Sequence, residues 1–149
     1  MEWERYELVK DDAEFRYEFY SEGPKGRIKK VVEFQQLQGM SDNFYNLYFG
    51  DFVESTGKID SLSVSNNKDR SKILLTVAAI VHDFMQYQPK AIILVIGSTN
   101  VRTRLYQMSI SFFWQEIGSL YVVYGKSNDE WGCFEKNVNY DGFLIFKKD

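Results

Sequence analysis

One stretch limits the possible folds more than any other. From Ala91 to Ile96 the chain runs without a polar residue, closed by Gly97, while the segment just upstream has a different apolar spacing. The unbroken run Ile92-Ile93-Leu94-Val95-Ile96 is the pattern of a strand buried on both faces. From Asp69 to Gln88, Ile73, Leu74, Val77, Ile80, Val81, Phe84 and Tyr87 recur at three and four, with Ala78 and Ala79 between them. That spacing predicts a core helix of about five turns, which Pro89 ends. Its expected buried residues are Leu74, Val77, Ile80, Val81 and Phe84. Beyond the strand, Gly97 leads through Ser98 and Thr99 into a second helix. Val101, Leu105, Met108 and Phe112 lie four, three and four residues apart, and the pattern runs to roughly Ile117 before Gly118 closes it. Ser98 or Thr99 can cap this helix.

The first half of the chain has period two. Glu4 to Val9 is expected as a first strand, and Phe15 to Tyr20 alternates strictly. Ser21 to Gly26 is turn chemistry, and Ile28 to Phe34 resumes alternation with Ile28, Val32 and Phe34 on one side. The two alternating segments are expected to pair as an antiparallel hairpin, followed by strands at Phe44 to Phe49 and, more weakly, Ile59 to Val64. Past the second helix come Tyr121 to Tyr124, Glu130 to Phe134, and Phe143 to Phe146 behind Gly142. The order strands, helix, strand, helix, strands reads as an α+β fold, two main helices on a mostly antiparallel, mixed sheet. A chain of 149 residues fits a single domain, 1–149, which buries roughly 70% of its unfolded surface and needs neither disulfides nor metal.

Composition excludes several function classes. With 18 basic and 21 acidic side chains the net charge is −3, which argues against a general nucleic-acid binder. The single cysteine, Cys133, excludes an intrachain disulfide, and the start MEWERYELVKDD has neither a basic nor an apolar leader region. No apolar run approaches the ~20 residues that span a bilayer, so a cytoplasmic location without a membrane role is expected. Aromatics make up 17% of the chain. They either build the core in place of leucine and valine or line a groove or interface.

The residues that can carry chemistry are few. Where the apolar strand meets the second helix, Gly97, Ser98, Thr99 and Asn100 offer backbone N–H groups, hydroxyls and a positive dipole end to an anion. Arg102 and Arg104 follow in the first turns; two residues apart on a helix, they point ~200° apart, so one is expected to face such a ligand. A second basic feature is the hairpin SEGPKGRIKK, with Lys25, Arg27, Lys29 and Lys30. It suits either an acidic partner or a solvated strand edge. His82, the only histidine, rules out a histidine-based metal site and reads as a rim residue. Cys133 reads as a small buried hydrophobe. Glu54, Asp60, Asp69 and Asn128-Asp129-Glu130 are loop acids without calcium-loop or paired-carboxylate spacing. No phosphate-binding GxxxxGK[ST], no GxSxG and no HExxH occurs, so no metal is expected and no cofactor is specified.

The segments SEGPKG, NNKDRSKILLTVAAIVHDF and GSTNVRTRLYQM together resemble a family of uncharacterised bacterial proteins, a domain of unknown function, over most of the chain. More distantly, the second half resembles the C-terminal part of the GCN5-related N-acetyltransferases, in which a helix, a strand and a second helix with an Asn…Leu-Tyr pattern precede a final strand pair. That resemblance implies for Tyr106, in Leu105-Tyr106, the protonation of a departing coenzyme A thiolate. It places Thr99 rather than Asn100 at the family's asparagine. It also puts the pyrophosphate loop near Ser65 to Ser71, where SNNKDRS has no glycine. Two functions follow as expectations. One is a small-anion or nucleotide-like ligand-binding domain related to a degenerate acetyltransferase fold. The alternative is a non-enzymatic interaction or regulatory protein, such as a toxin–antitoxin component, that uses the basic hairpin and an aromatic surface. The oligomeric state is left open.

Overall fold

A computed structural model describes residues 4–11, 13, 15–39, 43–60, 66–97 and 99–148. Among the described residues the architecture is α+β: three helices and nine strands, paired mostly antiparallel with one parallel pair. The chain divides into two compact units, Met1–Phe34 with Tyr48–Phe84, and Gln35–Leu47 with Met85–Asp149.

The first unit holds β1 (Val9–Asp11), β2 (Arg16–Gly23), most of β3 (Gly26–Gln36), the second half of β4 (Phe44–Val53), β5 (Lys58–Asp60) and most of α1 (Arg70–Tyr87). The expected hairpin forms, with Tyr17 opposite Val32 and Gly23 opposite Gly26. Alternation places Tyr17, Phe19, Val32 and Phe34 on one buried face. Helix α1 presents Val77, Ile80 and Phe84, all buried, and Phe34 stacks on Phe84 with ring centroids 3.9 Å apart. Thr76 is buried with them, whereas Leu74 and Val81, expected in the core, stay half-exposed at its margin. Aromatics thus do fill this core: Phe19 stacks between Tyr6 and Phe49. Two boundaries differ from expectation. Residues 4–8 are not a strand, since the backbone N–H of Tyr6 donates to Thr76 Oγ1 of α1 instead of to a neighbouring strand. Of the expected Ile59 to Val64, β5 covers Lys58–Asp60, and residues 61–65 lie outside the described ones.

The second unit contains the first half of β4, then β6 (Ile92–Val95), α2 (Asn100–Phe112), α3 (Trp114–Leu120), β7 (Tyr121–Ser127), β8 (Glu130–Cys133) and β9 (Gly142–Lys147). Its strand order is β4-β6-β9-β7-β8. The parallel pair is β4 with β6, Phe44 opposite Ile92; a parallel neighbour requires a crossover, and α1 lies between the two strands in sequence. Strand β9 inserts antiparallel between β6 and β7. Ile93, Val95, Phe143, Ile145, Tyr121 and Val123 are buried on one face of these strands. The second helix departs from the expected single rod: it breaks at Phe113, whose φ of −102° and ψ of 22° are not helical. The break lets Trp114 restart a helix, lie against Gly118 and pack on the Phe134 ring with centroids 4.9 Å apart.

Helix α2 also faces the opposite way from its apolar stripe. Arg102, Thr103, Tyr106 and Ile110 are buried, while Val101, Met108 and Phe112 are exposed, Phe112 at 81%. The tight seating of the first turn on Gly97 decides this. A Cβ on Gly97 would stand 2.2 Å from the Thr103 backbone nitrogen, and Thr103 Oγ1 accepts a hydrogen bond from the Gly97 N–H at 2.9 Å. Thr103 is therefore inward, and Arg102, Tyr106 and Ile110 share its side of the helix.

Candidate functional site

Two segments far apart in sequence, SEGPKG and NNKDRS, meet in the first unit. Asn67, 1% exposed, donates from Nδ2 to Ser21 Oγ at 3.1 Å and to the Gly26 carbonyl at 2.9 Å, and its Oδ1 accepts from the Lys25 backbone N–H at 2.7 Å. It holds the β2–β3 turn and the approach to α1 together. Asp69, the residue before α1, accepts from the Tyr6 hydroxyl at 2.6 Å and from Ser21 Oγ at 2.5 Å on the same carboxylate oxygen. The Tyr6 hydroxyl in turn accepts from the Glu22 backbone N–H at 3.0 Å. Burial, together with the bond donated to Asp69, pushes the Tyr6 phenol up from its ordinary value.

Beside this network opens a cleft of ≈ 770 Å³, lined among others by Tyr6, Lys68, Asp69, Arg70, Ser71 and Lys72. The volume is that of a small-molecule site. Because the Asp69 carboxylate is turned back onto two hydroxyls, it does not cap α1. Among the described residues, the backbone N–H groups of Arg70, Ser71 and Lys72 find no protein acceptor, as expected for an uncapped helix start. Lys68 and Arg70 make no salt bridge among the described residues, and the Lys72 ammonium lies 4.3 Å from the Tyr6 ring centroid. Three cations and three backbone donors thus border one opening, with Glu4 and Glu22 also on its lining.

The residues expected at the head of α2 are placed differently. Ser98 lies outside the described residues. Thr99 is the N-cap: its Oγ1 accepts from the Arg102 N–H at 3.2 Å, and its carbonyl accepts from the Thr103 N–H at 3.0 Å. At Gly97, Thr103 occupies the space that the missing Cβ vacates, so that side of the glycine seats the helix rather than opening toward a ligand. Asn100 is exposed. The two arginines separate as their spacing predicts, Arg102 buried and Arg104 exposed. Tyr106 is buried four residues beyond Arg102; burial pushes its phenol up to about 12, the Arg102 charge acting against that rise, so it stays protonated at neutral pH.

The basic hairpin is not an open patch. Lys30 is 4% exposed and pairs with Asp51. Its parity with Ile28, Val32 and Phe34 puts it on the inward face, and that parity was readable in the sequence. Lys29 pairs with Glu18 at 3.3 Å and lies over the Phe52 ring, while Arg27 covers the Tyr20 ring at 3.9 Å and approaches Glu22 at 3.8 Å. Lys25 is exposed at the turn. Cys133, expected to be buried, is exposed on β8, which among the described residues pairs only with β7; the core position beside it is taken by Phe134. His82 is half-buried, and Asn128 and Asp129 form the β7–β8 turn with φ of 51° and 61°.

The sequence profile of a family of unknown function, DUF6934, matches residues 2–148. The chain belongs to this family. No curated protein and no solved structure matches it. In this DUF6934 chain, the cleft at the head of α1 is the feature that sequence reasoning missed. The available signal was the run Lys68-Asp69-Arg70-Ser71-Lys72 directly ahead of the strongest helical periodicity. Without the turn contacts of Asn67, nothing in that run says which way the Asp69 carboxylate points.

Proposed function

We propose that the protein binds a small phosphate-bearing ligand, of nucleotide or coenzyme kind, in the cleft at the head of α1. The observation that carries this reading is the meeting there of Lys68, Arg70 and Lys72 with the uncapped amides of Arg70, Ser71 and Lys72. Helix starts of this kind favour anions through aligned N–H groups and the dipole, and guanidinium adds paired donors. The distant resemblance to GCN5-related N-acetyltransferases supports the same place, since it puts the pyrophosphate loop near Ser65 to Ser71, of which Asn66 and Lys68 to Ser71 line the cleft. In this chain the cradle consists of helix amides and cations rather than a glycine loop. The chain order α1, β6, α2, β7, with α3 added before β7, supports that resemblance. An exposed, unpaired Cys133 accords with a reducing compartment, and the proposal includes a bacterial, cytoplasmic setting. No helix is long and apolar enough to cross a membrane.

The test is a thermal-shift screen of inorganic phosphate, ATP and coenzyme A. At about 100 times its dissociation constant a ligand adds roughly 2.7 kcal/mol, which raises Tm by about 5–10 °C for a chain of this size. Lys68→Ala and Arg70→Ala should each lose most of the shift, and Arg104→Ala should keep it. No shift in the wild type, or loss in Arg104→Ala with retention in Arg70→Ala, overturns the assignment; the latter result moves the ligand to the head of α2.

A further inference from the structure

Helix α2 turns an apolar stripe outward. Val101, Leu105, Met108 and Phe112 stand four, three and four residues apart, within ~60° of one another around the helix. The buried side, made by Arg102, Thr103, Tyr106 and Ile110, is centred ~150° away. Val101, Met108 and Phe112 are exposed at 59%, 43% and 81%, and Leu105 is half-exposed. Spacing of four, three and four is that of a coiled-coil seam, the narrow stripe by which one helix lies along another. The helix that carries it is anchored, since Thr103 and Gly97 seat its first turn, and all of α2 belongs to the second unit.

We infer that this stripe is the interface of a reversible homodimer, in which α2 lies antiparallel on α2 of a second copy about a two-fold axis between Leu105 and Met108. Two features select a second copy. The first is that the spacing reads the same in both directions, so an antiparallel copy meets an identical seam. Val101, the smallest of the four side chains, then faces the partner's Phe112, the largest, and Leu105 faces the partner's Met108, as interdigitating layers require. The second is charge. Helix α2 has no acidic residue in its first turn and no basic one in its last, so its own side chains do not offset its dipole. Antiparallel pairing sets each positive end beside the partner's negative end and brings Arg104, the only exposed charged side chain of α2, toward the partner's last turn. Parallel pairing would put Arg104 beside the partner's Arg104 instead. A helix that lies on a membrane has a polar face rich in lysine and arginine, which one exposed arginine does not supply. The uncovered parts of the four side chains amount to roughly 400 Å² per copy. That is about half of what each partner buries in a standard stable interface, so the dimer is weak and depends on concentration. This inference is independent of the cleft at the head of α1, which lies in the other unit.

Sedimentation equilibrium of the full chain from about 1 μM to about 1 mM should show the average mass rising from one chain toward two. Phe112→Glu and Met108→Glu, both at exposed positions, should each weaken the dimer by about tenfold or more, because each buries an unpaired carboxylate in the seam. Their circular dichroism and their Tm in dilute solution should match the wild type. Arg104→Glu should weaken the dimer by about threefold or more, as two unfavourable charge–dipole contacts replace two favourable ones. Orientation is read by disulfide trapping in a Cys133→Ser background: a mixture of Val101→Cys and Phe112→Cys chains should cross-link faster than either alone. A single-chain mass over the whole range, self-association of Phe112→Glu equal to that of the wild type, or faster cross-linking of Val101→Cys to itself would each overturn the inference. So would binding of the wild type to phosphatidylglycerol vesicles that Phe112→Glu abolishes, since it would give the stripe to a lipid surface.

Discussion

Asn67→Ala is expected to cost about 3 kcal/mol, although it removes only a small polar side chain from a loop. The side chain makes three hydrogen bonds, at 3.1, 2.9 and 2.7 Å, to Ser21 Oγ, the Gly26 carbonyl and the Lys25 N–H. A typical bond contributes about 0.5–1.5 kcal/mol net, and a buried partner left unsatisfied costs about 1–3 kcal/mol. Ser21 keeps its bond to Asp69 and suffers least. The Lys25 N–H and the Gly26 carbonyl are only part-buried, so water replaces some of what they lose, which keeps the sum near the middle of the range. For a chain of this size about 3 kcal/mol lowers Tm by roughly 6–12 °C, easily followed by circular dichroism. Asn67→Asp should be at least as damaging, since it keeps the acceptor for Lys25 but turns a second oxygen toward the Gly26 carbonyl. Gly23→Ala tests the same junction from the other side: its Cβ would stand 2.0 Å from the Asn67 carbonyl oxygen. If Asn67→Ala melts within about 1 °C of the wild type, the turn and the approach to α1 are not held by this side chain. The account of the cleft built on it then fails.

Three further outcomes follow from the packing and the ionisations. Val77→Asp puts a carboxylate without a partner into the first unit's core, where Val77 is 8% exposed; a loss of several kcal/mol, seen as insoluble or unfolded protein, is expected, and an unchanged Tm would refute the burial. Gly97→Ala should destabilise the protein, because its Cβ meets the backbone of Arg102 and Thr103 at 2.7 and 2.2 Å rather than a movable side chain; a neutral Tm would mean that α2 is seated differently. Burial raises the Tyr106 and Tyr121 phenols from 10.0 to about 12, so the folded state holds these protons while the unfolded chain releases them. Their contribution is complete below pH 10 and is lost as pH rises toward 12. Urea titrations across that window should show stability falling, less steeply in Tyr106→Phe; an identical slope would refute the assignment.

The sequence by itself determined the parts of the fold whose cause is local or periodic. The apolar run at Ile92 to Ile96, the three-and-four spacing ahead of Pro89 and the alternation on both sides of SEGPKG yielded β6, α1 and the β2–β3 hairpin almost at their observed bounds. One-dimensional period fixes backbone state because it states how many faces of an element must be apolar. The same alternation held the inward direction of Lys30, a consequence overlooked when the hairpin is read as a cluster of charges. Two other matters were decided only by the tertiary structure. Which side of α2 turns inward follows from the seating of Thr103 on Gly97, a contact that overrides the apolar stripe Val101, Met108 and Phe112. Where the cations of Lys68 to Lys72 gather into a cleft follows from Asn67 and Asp69, whose partners lie more than forty residues away in sequence. Long-range hydrogen bonds leave no periodic trace, because any hydroxyl or carbonyl at the right place in space serves equally well. Residue pattern therefore gave the elements, and packing alone chose the faces and the opening between them.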